Sequence, residues 1–189
     1  MNDQLSTYLK KCENHYRNFM GISKFPKYDI APIFYNLDEI DKHGKGSIAT
    51  ASYDITSDTY TLMISPDAYK SEEIWKPIVF HELTHILDAE TYDNKEPSKK
   101  LVNHAFTEYH AAQNEILLLL GVKEIQKKIS FSVNDTIKFA TQFMTVKDFV
   151  REPLLLAAND INTVEFPTTV NDLGKILGLI FNYYGRRSI

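Results

Sequence analysis

Five residues near the middle of the chain, His81-Glu82-Leu83-Thr84-His85, combine the side chains and the spacing of a metal-centred hydrolytic site. Imidazoles four positions apart on a helix lie one turn from each other on the same face. That separation lets both rings reach one tetrahedral zinc. Glu82 sits one position along from His81, beside the metal-facing edge. There its carboxylate can act as a general base on a metal-activated water rather than as a ligand.

Zinc in a hydrolytic site takes a third protein ligand and leaves one position for water. The segment 98–121 is the richest source, and Glu108 is the preferred candidate. Leu101, Glu108, Ala112 and Leu119 fall close to one line of a helix, beside an apolar stripe of Val102, Ala105, Tyr109, Ile116 and Leu120. A carboxylate at the edge of a buried stripe is costly unless it is paired or metal-bound. Ala111 and Ala112 remove bulk around it and allow another helix to come close. His104, Glu115, His110 and Asp88 are the alternative ligands, and His104 and Asp88 could instead orient ligands from outside. His15 and His43 read as surface residues.

Several elements must position these groups. Val79, Leu83 and Ile86 form a stripe opposite the histidines, flanked by Phe80 and Leu87, which predicts a largely buried helix from Ser71 or Pro77 to about Glu90. Before it, residues 47–65 read as a β-hairpin turning at Ile55-Thr56-Ser57-Asp58; Tyr60, Leu62 and Ile64 form the apolar face. The edge of such a sheet could also pair with an extended peptide. A strand over 29–37 is restricted by Pro32 to an edge or a bulge. Residues 3–20 form an amphipathic helix stopped by Gly21, and Ser98 caps a helix that Gly121 ends. Beyond it, helical pieces are expected over 122–129, 133–144, 146–158 and 170–184, the last capped by Thr168 or Thr169 and ended by Gly185. The fold class is α+β, mostly helical, with a small antiparallel sheet or hairpin preceding the motif helix. One domain is expected over 1–189: a helix over 1–21, a sheet and site helices over 22–121, and a helical part over 122–189.

Composition narrows the function classes. The chain has 189 residues, a net charge of −4 and 43% hydrophobic residues, an ordinary globular balance with no basic patch for nucleic acid or anionic membranes. Lys99-Lys100, Lys127-Lys128 and Arg186-Arg187 are short pairs that read as solvated. Cys12 is the single cysteine, so no internal disulfide is possible. The N-terminus lacks a basic segment followed by an apolar core, and no apolar run reaches membrane-spanning length, so a cytoplasmic protein is expected.

The motif segment resembles the helix of the zincin metallopeptidases. A glutamate 23 residues beyond His85 is similar to the third ligand of the gluzincin branch. The metzincin extension would need glycine at position 88 and histidine or aspartate at position 91, where this chain has Asp88 and Thr91. The short chain, with a hairpin before the motif and helices after it, is similar to small cytoplasmic peptidases of phages and mobile elements, including the ImmA/IrrE type. The resemblance covers roughly residues 47–120 and not the last 70. The chain departs from the usual gluzincin Glu-x-x-x-Asp pattern, since Ala112 stands four positions after Glu108.

The expected function is therefore zinc-dependent hydrolysis of a peptide bond in a protein or peptide. His81, His85 and Glu108 would be ligands and Glu82 the base. Tyr109, His104, His110, Tyr183 and Tyr184 are candidates to stabilise the oxyanion. One alternative is a zincin-like regulatory or binding module that keeps the metal site with little turnover. Another is a helical interaction protein whose motif is incidental.

Overall fold

A computed structural model describes residues 3–33, 49–92, 100–139, 141–163 and 169–189. Among them are five α-helices and two small sheets in an α+β arrangement dominated by helix. Helix α1 (Asp3–Met20) buries Leu5, Tyr8, Leu9, Cys12, Tyr16 and Phe19 at helical spacing. It stops where Gly21 takes a φ of +69° and Ile22 N–H bonds back to the Arg17 carbonyl at 3.0 Å. A side chain at that left-handed position would be strained, which is why glycine ends the helix there.

Strand β1 (Tyr28–Pro32), β2 (Ala49–Asp54) and β3 (Thr59–Ile64) form a sheet in the order β1-β3-β2. The hairpin β2–β3 is antiparallel, with Tyr53 opposite Tyr60, and turns at 55–58 as its residues predict. The sheet as a whole is mixed rather than purely antiparallel, because β1 joins β3 in parallel. Pro32 closes β1 on the sheet's edge, where a missing N–H is tolerated. Residues 34–37 of the expected strand, residues 47 and 48 of the expected hairpin, His43, Ser98 and Thr168 lie outside the described residues.

Helix α2 (Glu72–Thr91) carries the motif and starts at Ser71 rather than at Pro77. Glu72 and Glu73 lie in its first turn, where carboxylates suit the helix dipole. Val79, Phe80, Leu83 and Ile86 are buried against α1 and the inner face of β3, Tyr60, Leu62 and Ile64. Phe80 meets Tyr16 and Phe19 edge-on at ring separations of 5.3 and 5.6 Å. Each such buried aromatic contributes about 1.5–3 kcal/mol. Helix α3 (Lys100–Leu119) lies on α2 and ends at Gly121, whose φ is +78°.

The region after Gly121 is not helical throughout. No helix forms over 122–129. Residues expected as a helix over 133–144 instead make strands β4 (Thr136–Phe139) and β5 (Gln142–Thr145), an antiparallel hairpin. Its Ile137 packs with Ile116, Val146 and Phe149 in a second core. The alternation Ile137, Phe139 is short enough to imitate part of a helical face, so periodicity alone misassigned it. Helices α4 (Val146–Thr163) and α5 (Val170–Arg187) follow. Thr169 caps α5 with Asp172 in a reciprocal capping box. Gly185 does not end α5, which runs on to Arg187. A Cβ on Gly185 would lie 2.1 Å from the Tyr109 carbonyl oxygen, so this glycine lets α5 close on α3. No described helix is long and apolar enough to cross a membrane.

Candidate metal centre

Helices α2 and α3 bring His81, His85 and Glu108 together. One ligand atom from each lies within 4.8 Å of the other two. His81 Nε2 is 3.4 Å from Glu108 Oε2, and His85 Nε2 is 3.6 Å from Glu108 Oε1. The two rings meet edge to face at 4.8 Å. Ligands about 2.0–2.2 Å from a tetrahedral ion stand about 3.3–3.5 Å apart, and each imidazole lies close to that distance from one of the two Glu108 oxygens, His81 from Oε2 and His85 from Oε1. Two imidazole nitrogens and one carboxylate oxygen form a donor set suited to zinc, with a position left over for water.

This closeness has a local cause. Ala111 and Ala112 are fully buried, but Ala112 faces Gly185 of α5 rather than the motif helix. Beside His85, the Thr84 hydroxyl accepts from Tyr16 of α1 at 3.0 Å and from Asn114 of α3 at 3.1 Å, and donates to the Phe80 carbonyl. This buried knot ties three helices one residue from the second ligand.

Electrostatics within the cluster follow from burial and one carboxylate. Burial presses the His81 imidazolium down, but the adjacent Glu108 outweighs it and lifts the pKa to about 9. Burial dominates at His85 and lowers it to about 4. Glu108 is raised by burial and pulled further the other way by His85 and His81, ending well below the usual carboxylate range. Glu82 stands apart from these three. Its Oε2 accepts the Ala51 N–H at 2.7 Å, so the carboxylate hangs between α2 and strand β2. Burial pushes it up to about 7, against the opposing pull of His81.

The alternative ligands are engaged elsewhere or lie at the margin. Glu115 pairs with Arg186 at 2.9 Å. Asp88 faces His110, whose Nδ1 is 2.8 Å from Oδ1. His104 is closest to joining: its Nδ1 is 3.6 Å from Glu108 Oε1, while its Nε2 is 3.2 Å from the Gly174 carbonyl of α5. Of the oxyanion candidates, Tyr109 accepts a bond from Gln113, Tyr183 accepts one from Arg187, and Tyr184 is half exposed. His15 is not a free surface residue; it packs edge-on against Phe80 at 5.2 Å, and burial lowers its pKa.

Four contributors were not singled out from sequence. Thr107 places its hydroxyl 2.6 Å from His85 Nδ1. Asn182 of α5 donates to Glu108 Oε2 at 3.0 Å. Gly178, one turn before it, would bring a Cβ to 3.3 Å from His104 Nε2. The Ala51 amide holds Glu82. The four-residue spacing of Gly174, Gly178 and Asn182 was the available signal, since small residues at that period mark a close helix contact. No protein-family model matches the chain, and no curated protein or solved structure matches it.

Proposed function

We propose that the chain is a zinc-dependent peptidase. The carrying observation is the convergence of His81 and His85 on Glu108 from a different helix, at separations suited to a tetrahedral ion. His81, His85 and Glu108 are the residues that would hold the metal. When bound, zinc supplies Lewis acidity that polarises a scissile carbonyl and lowers the pKa of water. Glu82 takes the proton from the attacking water and passes it to the leaving amine. In the metal-free protein burial raises its pKa to about 7, the direction that suits a group that must both accept and release a proton. The Ala51 amide fixes one of its oxygens and leaves the other for the proton. The substrate class is a protein or peptide. A cytoplasmic setting belongs to the same proposal.

Glu82→Gln tests the reading against a zincin-like binding module with little turnover. The substitution should leave zinc binding intact and reduce cleavage of the biological partner by about 100–10,000-fold. Retention of the full biological effect by Glu82→Gln would remove hydrolysis from the account and favour the binding module.

A further inference from the structure

Behind the three clustered side chains, one hydroxyl touches a candidate ligand from outside. Thr107 is 8% exposed, and its Oγ1 lies 2.6 Å from Nδ1 of His85. The other nitrogen of that ring, Nε2, faces Glu108 Oε1 at 3.6 Å. A neutral imidazole carries a single proton, and the nitrogen without it supplies the lone pair. Which nitrogen that is depends on the partner of the other. Thr107 is also the residue next to Glu108 on α3. The same turn of helix therefore carries one candidate ligand and the anchor of another, and a shift of α3 along α2 would disturb both.

We propose that Thr107 is the positioning residue of the metal centre: its hydroxyl accepts the Nδ1 proton of His85 and so keeps the Nε2 lone pair and the ring plane turned toward the ion. This rests on the metal-site reading above. A hydroxyl suits the position because it can accept from Nδ1–H, whereas valine has the same shape and no acceptor. Serine keeps the acceptor and loses only a methyl group.

The test compares the parent chain with Thr107→Val and Thr107→Ser by competition against a chromogenic zinc chelator at fixed pH. The visible spectrum of Co2+ added to each protein reports ligand geometry. Thr107→Val should bind zinc about 10–100-fold more weakly and alter the Co2+ spectrum. Thr107→Ser should stay within about threefold of the parent and keep its spectrum, as expected if the outer hydrogen bond is what matters. Thr107→Ala repeats the comparison with a smaller side chain if valine does not pack, and the same loss is expected. Parent-like zinc affinity in both Thr107→Val and Thr107→Ala would overturn the proposal while leaving the metal site standing. A serine variant as weak as valine would overturn it too, because packing rather than the hydrogen bond would then be responsible. A parent chain that binds neither Zn2+ nor Co2+ would overturn the metal-site reading itself, and this proposal with it.

Discussion

Helix α3 carries two largely buried glutamates, Glu108 and Glu115, seven residues and almost two turns apart, and each is met by a residue of α5. At Glu115 the answer is complete. Arg186, buried rather than solvated as its place in the Arg186-Arg187 pair suggests, donates to it at 2.9 Å and to the Phe149 carbonyl at 2.8 Å, and its guanidinium lies 3.8 Å above the Phe149 ring. At Glu108, among the described residues, α5 offers the neutral amide of Asn182, α2 two imidazoles, and α3 itself a third from His104 at 3.6 Å. One carboxylate has a permanent cation supplied by the chain. The other faces side chains that balance its charge only through a proton or a metal. A buried charge needs a partner, so the first arrangement is a structural tie and the second is the proposed binding site.

Breaking the structural tie should have the largest effect. Glu115→Ala leaves the buried Arg186 with only the half-exposed Glu152, 3.4 Å away, as a carboxylate partner, and should destabilise the fold by about 3 kcal/mol in denaturant unfolding. Zinc affinity of the folded protein should change little. Loss of zinc binding in step with Glu108 variants would erase the distinction between the two glutamates.

Glu108→Ala should do the reverse. If three protein ligands share the ~10 kcal/mol or more typical of a protein-held zinc, losing one costs about 3 kcal/mol, roughly two orders of magnitude in affinity. The metal-free fold should suffer less than in Glu115→Ala, because His81 can become neutral, as His85 already is. Unchanged zinc content in Glu108→Ala would move the third ligand to His104, the nearest other donor.

The smallest effect is a pH dependence. His81, held near pKa 9 by Glu108, carries a proton that a metal must displace. Zinc affinity should therefore rise with pH by about tenfold per unit between about 7 and 9 and then level off, with proton release visible by calorimetry in buffers of different ionisation enthalpy. In the metal-free protein the sign is opposite. A raised histidine pKa contributes stability that is present below its unfolded value near 6.5 and is lost as pH rises through about 9. A zinc affinity flat across this window would contradict the assigned charge state of the cluster.

The legible parts of this chain were those that one element determines. His81 and His85 share a helix, and their spacing alone placed them together. The stops at Gly21 and Gly121 follow from the left-handed backbone that glycine adopts there. Glu108 was reachable because a carboxylate beside an apolar stripe asks for a partner. Contacts between distant elements were not legible. Thr107 matters only because α3 packs on α2, and Asn182 only because α5 packs on α3, and a backbone donor such as Ala51 N–H has no side-chain signature. Gly185 reads as a helix stop in sequence and is instead the contact that lets α5 lie against Tyr109. The hairpin over 136–145 was missed because its strands are four residues each, too short for periodicity to separate strand from helix.

The central claim is that His81, His85 and Glu108 hold a metal ion. Its most direct test is the zinc content of the chain purified without chelator, measured beside His81→Ala. The account predicts stoichiometric zinc in the parent and none in the variant, with a thermal shift on zinc addition in the parent alone. A parent without stoichiometric zinc and without a thermal shift would contradict it and leave an interaction protein with an incidental motif.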